Sequence, residues 1–442
     1  MFSLSPCLNI SSAFTIKSTA VALNPFFFIC QTKYNIKANI AITTVGQEIT
    51  DKDTKEKIDD ANSVYGQDAD ELLSGAGSAL AAAGISETEV TPSVGAGSGG
   101  AGSAITVNIT GSDIDAGGTV KANAAESGNI NMTLGSGAAG AIAGNVGVGI
   151  LNVHRNVGVN INGGSLNADN KVDIGTDITG SANLEIYQGS VGVIGATVAV
   201  GEVNTTGSSD ITIDGTKIAA KNVSIIAQDN AKTVLKALGV SGGGLAGIGA
   251  LAADAANNSD ISVNITGSTI TSTAEKSNDK DGNIVYDGGN IEITTNKANV
   301  VTAQAVNTAG GMVGDAGMGA TVSDNGSSVV NLNGNAMHAD VNIDASAKTV
   351  STLTADILNG AAGSFAAGAV SAAMVNAGSE NDRMITAVNI GNGNTFAAQN
   401  TNFTADSDII ESVDMDAFSV SGAYSVEGNG TDLAAYKAVS VT

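Results

Sequence analysis

The stretch SDITIDGTKIAAKNVSIIA, Ser209 to Ala227, places two short runs of alternating β-branched residues on either side of Asp214-Gly215. Alternation with a period of two, broken by an Asp-Gly dipeptide, is the pattern of strand, turn and strand. The same phrase occurs along the chain. Val107 and Ile109 precede Gly111, Val159 and Ile161 precede Gly163, Ile211 and Ile213 precede Gly215, and Val263 and Ile265 precede Gly267. The fifth copy is Val330 and Leu332 before Gly334, and the sixth is Val388 and Ile390 with Asn392 in the glycine column. The first four copies keep one spacing, 107 to 159 to 211 to 263, so the repeat is about 52 residues long; the fifth and sixth arrive somewhat later. Glycine at each turn implies positive φ, and Asn is the commonest substitute there, so Asn392 is expected to meet the same backbone demand.

Three residues beyond each glycine stands another apolar side chain, Ile114, Leu166, Ile218, Ile270 or Met337. About half a repeat further on lies a Gly/Ala-rich tract, such as GSVGVIGATVAVG from Gly189 or NGAAGSFAAGAVSAAMV from Asn359. Each apolar run is shorter than the ~20 residues of a bilayer span and is rich in glycine, so no membrane insertion of this segment is expected. Small side chains instead let successive backbones stack around a narrow core.

Fixed self-similarity of this length is the mark of a solenoid, whose repeats bury their apolar faces against neighbours. Helical repeats are excluded by the period of two and by the turn dipeptides. The expected fold is all-β, a right-handed parallel β-helix (β-solenoid) over residues 92–442 with about two coils per repeat. A dozen or so coils, ~4.8 Å apart, would make a rod ~60 Å long. Residues 1–50 form a poorly defined N-terminal segment. Residues 51–91 open with DKDTKEKIDDANSVYGQDADELLSG, rich in helix formers, and are expected to be a small helical insertion or cap over the first coil. The polar insertion TAEKSNDKDGNIVYDGG, residues 273–289, lengthens the fourth repeat and is expected to be a hairpin standing off the body.

Composition narrows the function classes. The chain has 442 residues, 57 of them glycine but only 3 proline and with no three-residue period, which excludes collagen. Its 43% hydrophobic content argues against disorder. A net charge of −24 excludes nucleic acid and anionic membranes as partners, since both require clustered Lys and Arg. The two cysteines, Cys7 and Cys30, lie near the start, so no disulfide framework exists. Residues 1–31 make a poor secretory signal, because no positive charge precedes Lys17 and Pro25 interrupts the apolar part. The expectation is a fragment of a longer chain, or a start assigned downstream of the true one.

The repeats VNITGS, VNINGGS and ITIDGTKIAAKNVSIIA, alternating with Gly/Ala tracts, resemble the passenger repeats of filamentous-haemagglutinin-like adhesins and leukotoxin-type exoproteins. The resemblance covers residues 92–442 and lies in style and periodicity. It implies a β-helical body exported by a type V or two-partner pathway through an outer-membrane transporter, then secreted or displayed on a Gram-negative-type surface. It implies adhesion to a host-cell or extracellular-matrix receptor, or to other bacteria. The N-terminal secretion domain and C-terminal anchor usual in the family are not recognisable here.

Candidate chemistry is sparse. His154 and His338 fall in different repeats. His154-Arg155 beside carboxylates brings to mind β-helical polysaccharide-degrading enzymes, yet the aromatic platforms of sugar clefts are lacking, and surface or turn roles are expected for both. Asp279, Asp281 and Asn283 in DKDGN carry alternating oxygen ligands like part of a calcium loop, but the distal Glu is missing and an Asp-Gly hairpin turn accounts for them equally well. The column Asn108, Asn160, Thr212, Asn264, Asn331 and Asn389 lies opposite the apolar face and is expected to meet solvent, as a binding stripe or as plain polar surface. No phosphate-loop motif occurs. The reading is a non-enzymatic adhesin segment without cofactors. The alternatives are a β-helical polysaccharide-degrading enzyme and a purely structural spacer.

Overall fold

The computed structural model describes residues 14–16, 20–22, 34–45, 94–96, 104–380 and 382–442. It is an all-β parallel solenoid. Ladder register reveals how the repeat is used. Thr119–Asn162 pairs along its length with Lys171–Asp214, Thr119 against Lys171 and Asn162 against Asp214. That segment pairs in turn with Asn222–Thr266, and the series continues through Asn290–Asp324 and Asn342–Ala377 to Asn400–Ser421. Each repeat therefore lies on its own copy in the next, and one repeat is one coil.

This corrects the expectation of two coils per repeat. The Gly/Ala tract looked like a second rung, but it is the far end of the same one. Seven rungs stack in the column of the quoted phrase, from Ala104–Thr110 to Lys437–Val441. At ~4.8 Å per rung they rise roughly 30 Å, half the expected height. A limb such as Lys171 to Val191, at ~3.3 Å per residue, runs roughly 65 Å across the axis. The described body is a blade, wider than it is tall.

Each coil has a three-sided head. In the second, one side carries Val157, Val159 and Ile161, the next Leu166 and Ala168, and the third Val172 and Ile174, all buried in one core. The middle side is a sheet of six short strands, including Ser165–Ala168 and Lys217–Ala220, on which the apolar residues three past the glycine stack. The corner between the first two sides requires positive φ: Gly111 (57°), Gly163 (66°), Gly215 (58°), Gly267 (57°) and Gly334 (66°). Each glycine N–H donates to the coil above, Gly163 to Asp214 O at 2.8 Å and Gly215 to Thr266 O at 2.9 Å.

Asn392 does not belong to this set. No non-glycine residue among those described has positive φ, and the sixth corner is made by Gly393 at 78°. Ile390 pairs with Leu332 but Thr395 with Ala336, so this coil carries one extra residue between strand and corner. The addition moves a glycine to the corner and leaves Asn392 offering its carbonyl to Gly334 N–H at 3.0 Å. Glycine avoids the Cβ crowding that Asn would only tolerate.

From the head, two limbs run out face to face and meet at an apex within the Gly/Ala tract. Their inward side chains shrink along the way. Leu184 and Ile186 face Ala199 and Val203 midway, while Ala309, Ala316, Ala361, Ala367 and Ala369 fill the space nearer the apex. Buried polar groups stitch the limbs together, with Ser190 Oγ 2.8 Å from Thr197 Oγ1 and Asn359 Nδ2 donating to Ala316 O at 2.9 Å. A Cβ on Gly147 would stand 2.1 Å from Gln188 Nε2, so glycine makes room for the amide opposite.

Residues 51–91, and with them the whole of the expected helical cap, lie outside the described residues. Over 142–153, part of the first coil's edge is paired by Tyr34–Val45. The insertion within 273–289 is an antiparallel hairpin of Ala274–Asn278 and Ile284–Gly288.

Candidate functional site

The outer face of the phrase strands carries the polar column foreseen in the sequence, and stacking turns it into an amide ladder. Asn160 Nδ2 donates to Asn108 Oδ1 at 3.0 Å, Asn331 to Asn264 at 2.7 Å and Asn389 to Asn331 at 2.8 Å. Thr212 interrupts the series. A second ladder, at the start of the outgoing limb, joins Asn222, Asn290, Asn342 and Asn400. Equal residues in equal positions of successive coils place each amide donor against an acceptor one rung away.

Beside the first ladder a shallow groove of about 460 Å³ opens over Gly158, lined by Asn156, Asn160, Ser208, Asp210, Thr212 and Asn264. It exists because Gly158 offers no side chain in a column otherwise filled by Thr106, Asp210 and Ser262. Asp210 Oδ1 accepts from Ser262 Oγ at 2.7 Å. Hydroxyls and amides dominate, suited to hydrogen bonding with a polar ligand.

The structure separates His154 from Arg155. Strand alternation turns the imidazole outward, where Nδ1 is 2.8 Å from Thr206 Oγ1 and Nε2 is 2.8 Å from Asn156 Nδ2. Arg155 points inward and is buried, contrary to the surface or turn role expected of it. Its guanidinium donates to Thr179 O and Gly128 O, both at 3.2 Å, and lies 3.7 Å from Glu126 Oε1. Burial raises the Glu126 carboxyl above the usual range, while Arg155 acts in the opposite direction. His338 lies on the short-strand sheet, 3.6 Å from Asp340, so the two histidines do not meet.

The hairpin is anchored at its root. Lys221 Nζ lies 2.5 Å from Asp287 Oδ2 and 3.4 Å from Glu275 Oε2, and Asp340 Oδ2 accepts from Ala274 N–H at 2.9 Å. At the tip, Asp279 Oδ1 accepts from the N–H groups of Asp281 and Asn283 at 2.9 and 2.8 Å, and Oδ2 accepts from Asn283 Nδ2 at 3.0 Å. Hydrogen bonds from the Asn283 side chain and backbone hold the Asp279 carboxyl below the usual carboxylate range. Gly282, at φ 85°, completes the turn. Both oxygens of the leading calcium candidate are thus engaged by its own turn. Among the described residues, no group of three His, Cys, Asp or Glu side chains is placed to hold a metal ion. No helix among them is long and apolar enough to cross a membrane.

A third feature left no clear signal in the sequence. The apex displays Val193, Leu245, Met312, Phe365 and Tyr424 from successive coils, all substantially exposed. In the sequence they do not stand out from other larger apolar residues of the same tracts, such as Val191, Ile194, Ile248 and Val370.

No protein-family model matches the chain, no curated protein resembles it significantly, and no solved structure does so.

Proposed function

We propose that the chain is a non-enzymatic contact segment of a secreted or surface-displayed exoprotein, an adhesin-type β-solenoid that meets a host-cell or matrix receptor or another bacterium. The observation that carries this reading is the hairpin. It is tied to the body by Lys221 and Asp340, yet it presents Ile284 at 61% and Val285 at 44% exposure, apolar side chains that the coil does not need. The groove and amide ladder add a broad polar surface, across which many weak contacts would be shared. Export through an outer-membrane transporter suits a solenoid that has no disulfides to break.

The test compares the intact chain with a deletion of residues 273–289 on host cells, matrix-coated surfaces and bacterial cells, with far-ultraviolet circular dichroism reporting retained β structure. Loss of binding on deletion supports the adhesin reading. Equal binding by the two chains moves the contact from the hairpin to the coil surface, absence of binding by either assigns the spacer role, and depolymerisation of a glycan by the intact chain would establish the enzyme alternative.

A further inference from the structure

Where head meets arm, the fourth coil holds a lysine and an aspartate with no access to water. Lys297 Nζ lies 2.7 Å from Asp324 Oδ1 and donates to Gly326 O at 2.7 Å, and both charged side chains are 0% exposed. Asp324 is polarised from two further directions, by the Ser351 hydroxyl on Oδ2 and by Gly326 N–H on Oδ1 at 3.3 Å. Below Lys297 in the ladder is Asp229, also fully buried, whose Oδ2 accepts from Ser259 Oγ at 2.5 Å and Oδ1 from Ala231 N–H at 3.1 Å. Burial raises its carboxyl above the usual range, chiefly by desolvation, with Ser259 and Lys297 opposing.

The fold does not demand these charges. In the lysine column Ile178 and Thr349 stand beside the charged Glu126 and Asp229 of other coils, and in the aspartate column the other coils use Thr205, Asn257 and Ala377. A buried ion pair has a large desolvation cost that apolar residues of similar volume avoid, so its retention in one coil calls for a use. The solenoid contains no cysteine and so has no disulfide to join its limbs.

We propose that this cluster is a self-modification site, at which Lys297 and Asp324 condense to an amide that pins the two limbs of the fourth coil across the core. The step begins with transfer of a proton from the Lys297 ammonium to Asp324 across their 2.7 Å contact, which leaves an amine beside a carboxylic acid. The amine lone pair attacks Asp324 Cγ, and Ser351 and Gly326 N–H steady the charge that develops on oxygen. Asp229, on the next rung of the Lys297 column but not in hydrogen-bond contact with Nζ, swings toward it, takes the proton from the amine nitrogen and delivers one to the departing hydroxyl. One N–C bond forms, one C–O bond breaks, one water leaves, and Asp229 returns to its starting state. The amide removes both buried charges and closes the loop that contains the whole arm of that coil.

Intact mass spectrometry of the denatured full chain tests this, with K297R as the unlinked reference. The expected wild-type mass is lower than that reference by one water, after correction for the Lys-to-Arg difference. Proteolysis is expected to yield a branched peptide containing Lys297 and Asp324. D229N, which keeps both partners, is expected to show the unlinked mass while retaining β-rich circular dichroism. A wild-type chain without the water loss overturns the proposal, as does a branch that loses ammonia through Asn257. A fully linked D229N chain removes Asp229 from the step.

Discussion

Head and arm are made from the same strands yet filled by different rules. In the head three walls converge, and the space between them takes Ile, Val and Leu: Ile174, Ile213, Leu166 and Ile218 are at most 1% exposed. In the arm only two walls face each other, the gap narrows outward, and Leu gives way to Ala, Gly and hydrogen-bonded Ser, Thr and Asn. Head glycines serve the corner, where φ is positive. Arm glycines serve close approach, as at Gly195, where a Cβ would stand 2.4 Å from Gly242 O of the next coil. Repeat proteins can thus carry two packing regimes within a single rung, provided each column keeps its own size class.

The comparison can be broken or sharpened by substitution. The largest effect is expected for Ile213→Ala in the head, at about 2–5 kcal/mol in denaturant unfolding, because three rigid walls cannot collapse onto the cavity. Next comes Gly195→Ala in the arm, at about 1–3 kcal/mol, since the obstructing atom is backbone. Gly201→Ala should cost less, its nearest neighbours being the mobile methyl groups of Ile186 and Leu235. If the two arm variants behave alike, close backbone approach is not what selects glycine there. Gly215→Ala at the head corner meets no atom within 4 Å and should cost only the left-handed strain, about 1–2 kcal/mol.

The smallest effect concerns Glu126, where head meets arm in the first coil. Its carboxyl pKa is raised by folding, so the folded state holds this proton more tightly than the unfolded state. Stability then declines as pH rises from the unfolded value, near 4.5, to the raised folded value, and is level beyond it. E126Q should remove that slope. Melting temperatures compared between about pH 4 and about pH 7 should shift in favour of the variant as pH rises, and an unchanged difference would contradict the sign.

Much of this was legible before any coordinates. The corner glycines, the apolar column from Ile114 to Met337, the hairpin at 273–289 and the outward polar column all follow from local alternation and turn chemistry. Asn392 was misplaced because one inserted residue shifts the corner without altering the apolar pattern on either side. Arg155 was misread because a charged side chain gives no local sign of facing a core whose polar partners, Thr179 O and Gly128 O, come from the opposite limb and an adjacent coil. The Lys297, Asp324 and Asp229 cluster was equally hidden, its members being far apart in the chain.

The sequence by itself determined that the molecule is a stack of β coils, because a period of two within each phrase and a fixed interval between phrases admit no other way of burying the apolar face. Only the tertiary structure decided that one repeat makes one wide coil, and which distant polar side chains share its interior. The reason is that alternation specifies which face a residue takes but not which limb lies opposite, and that pairing is settled only when the whole rung closes.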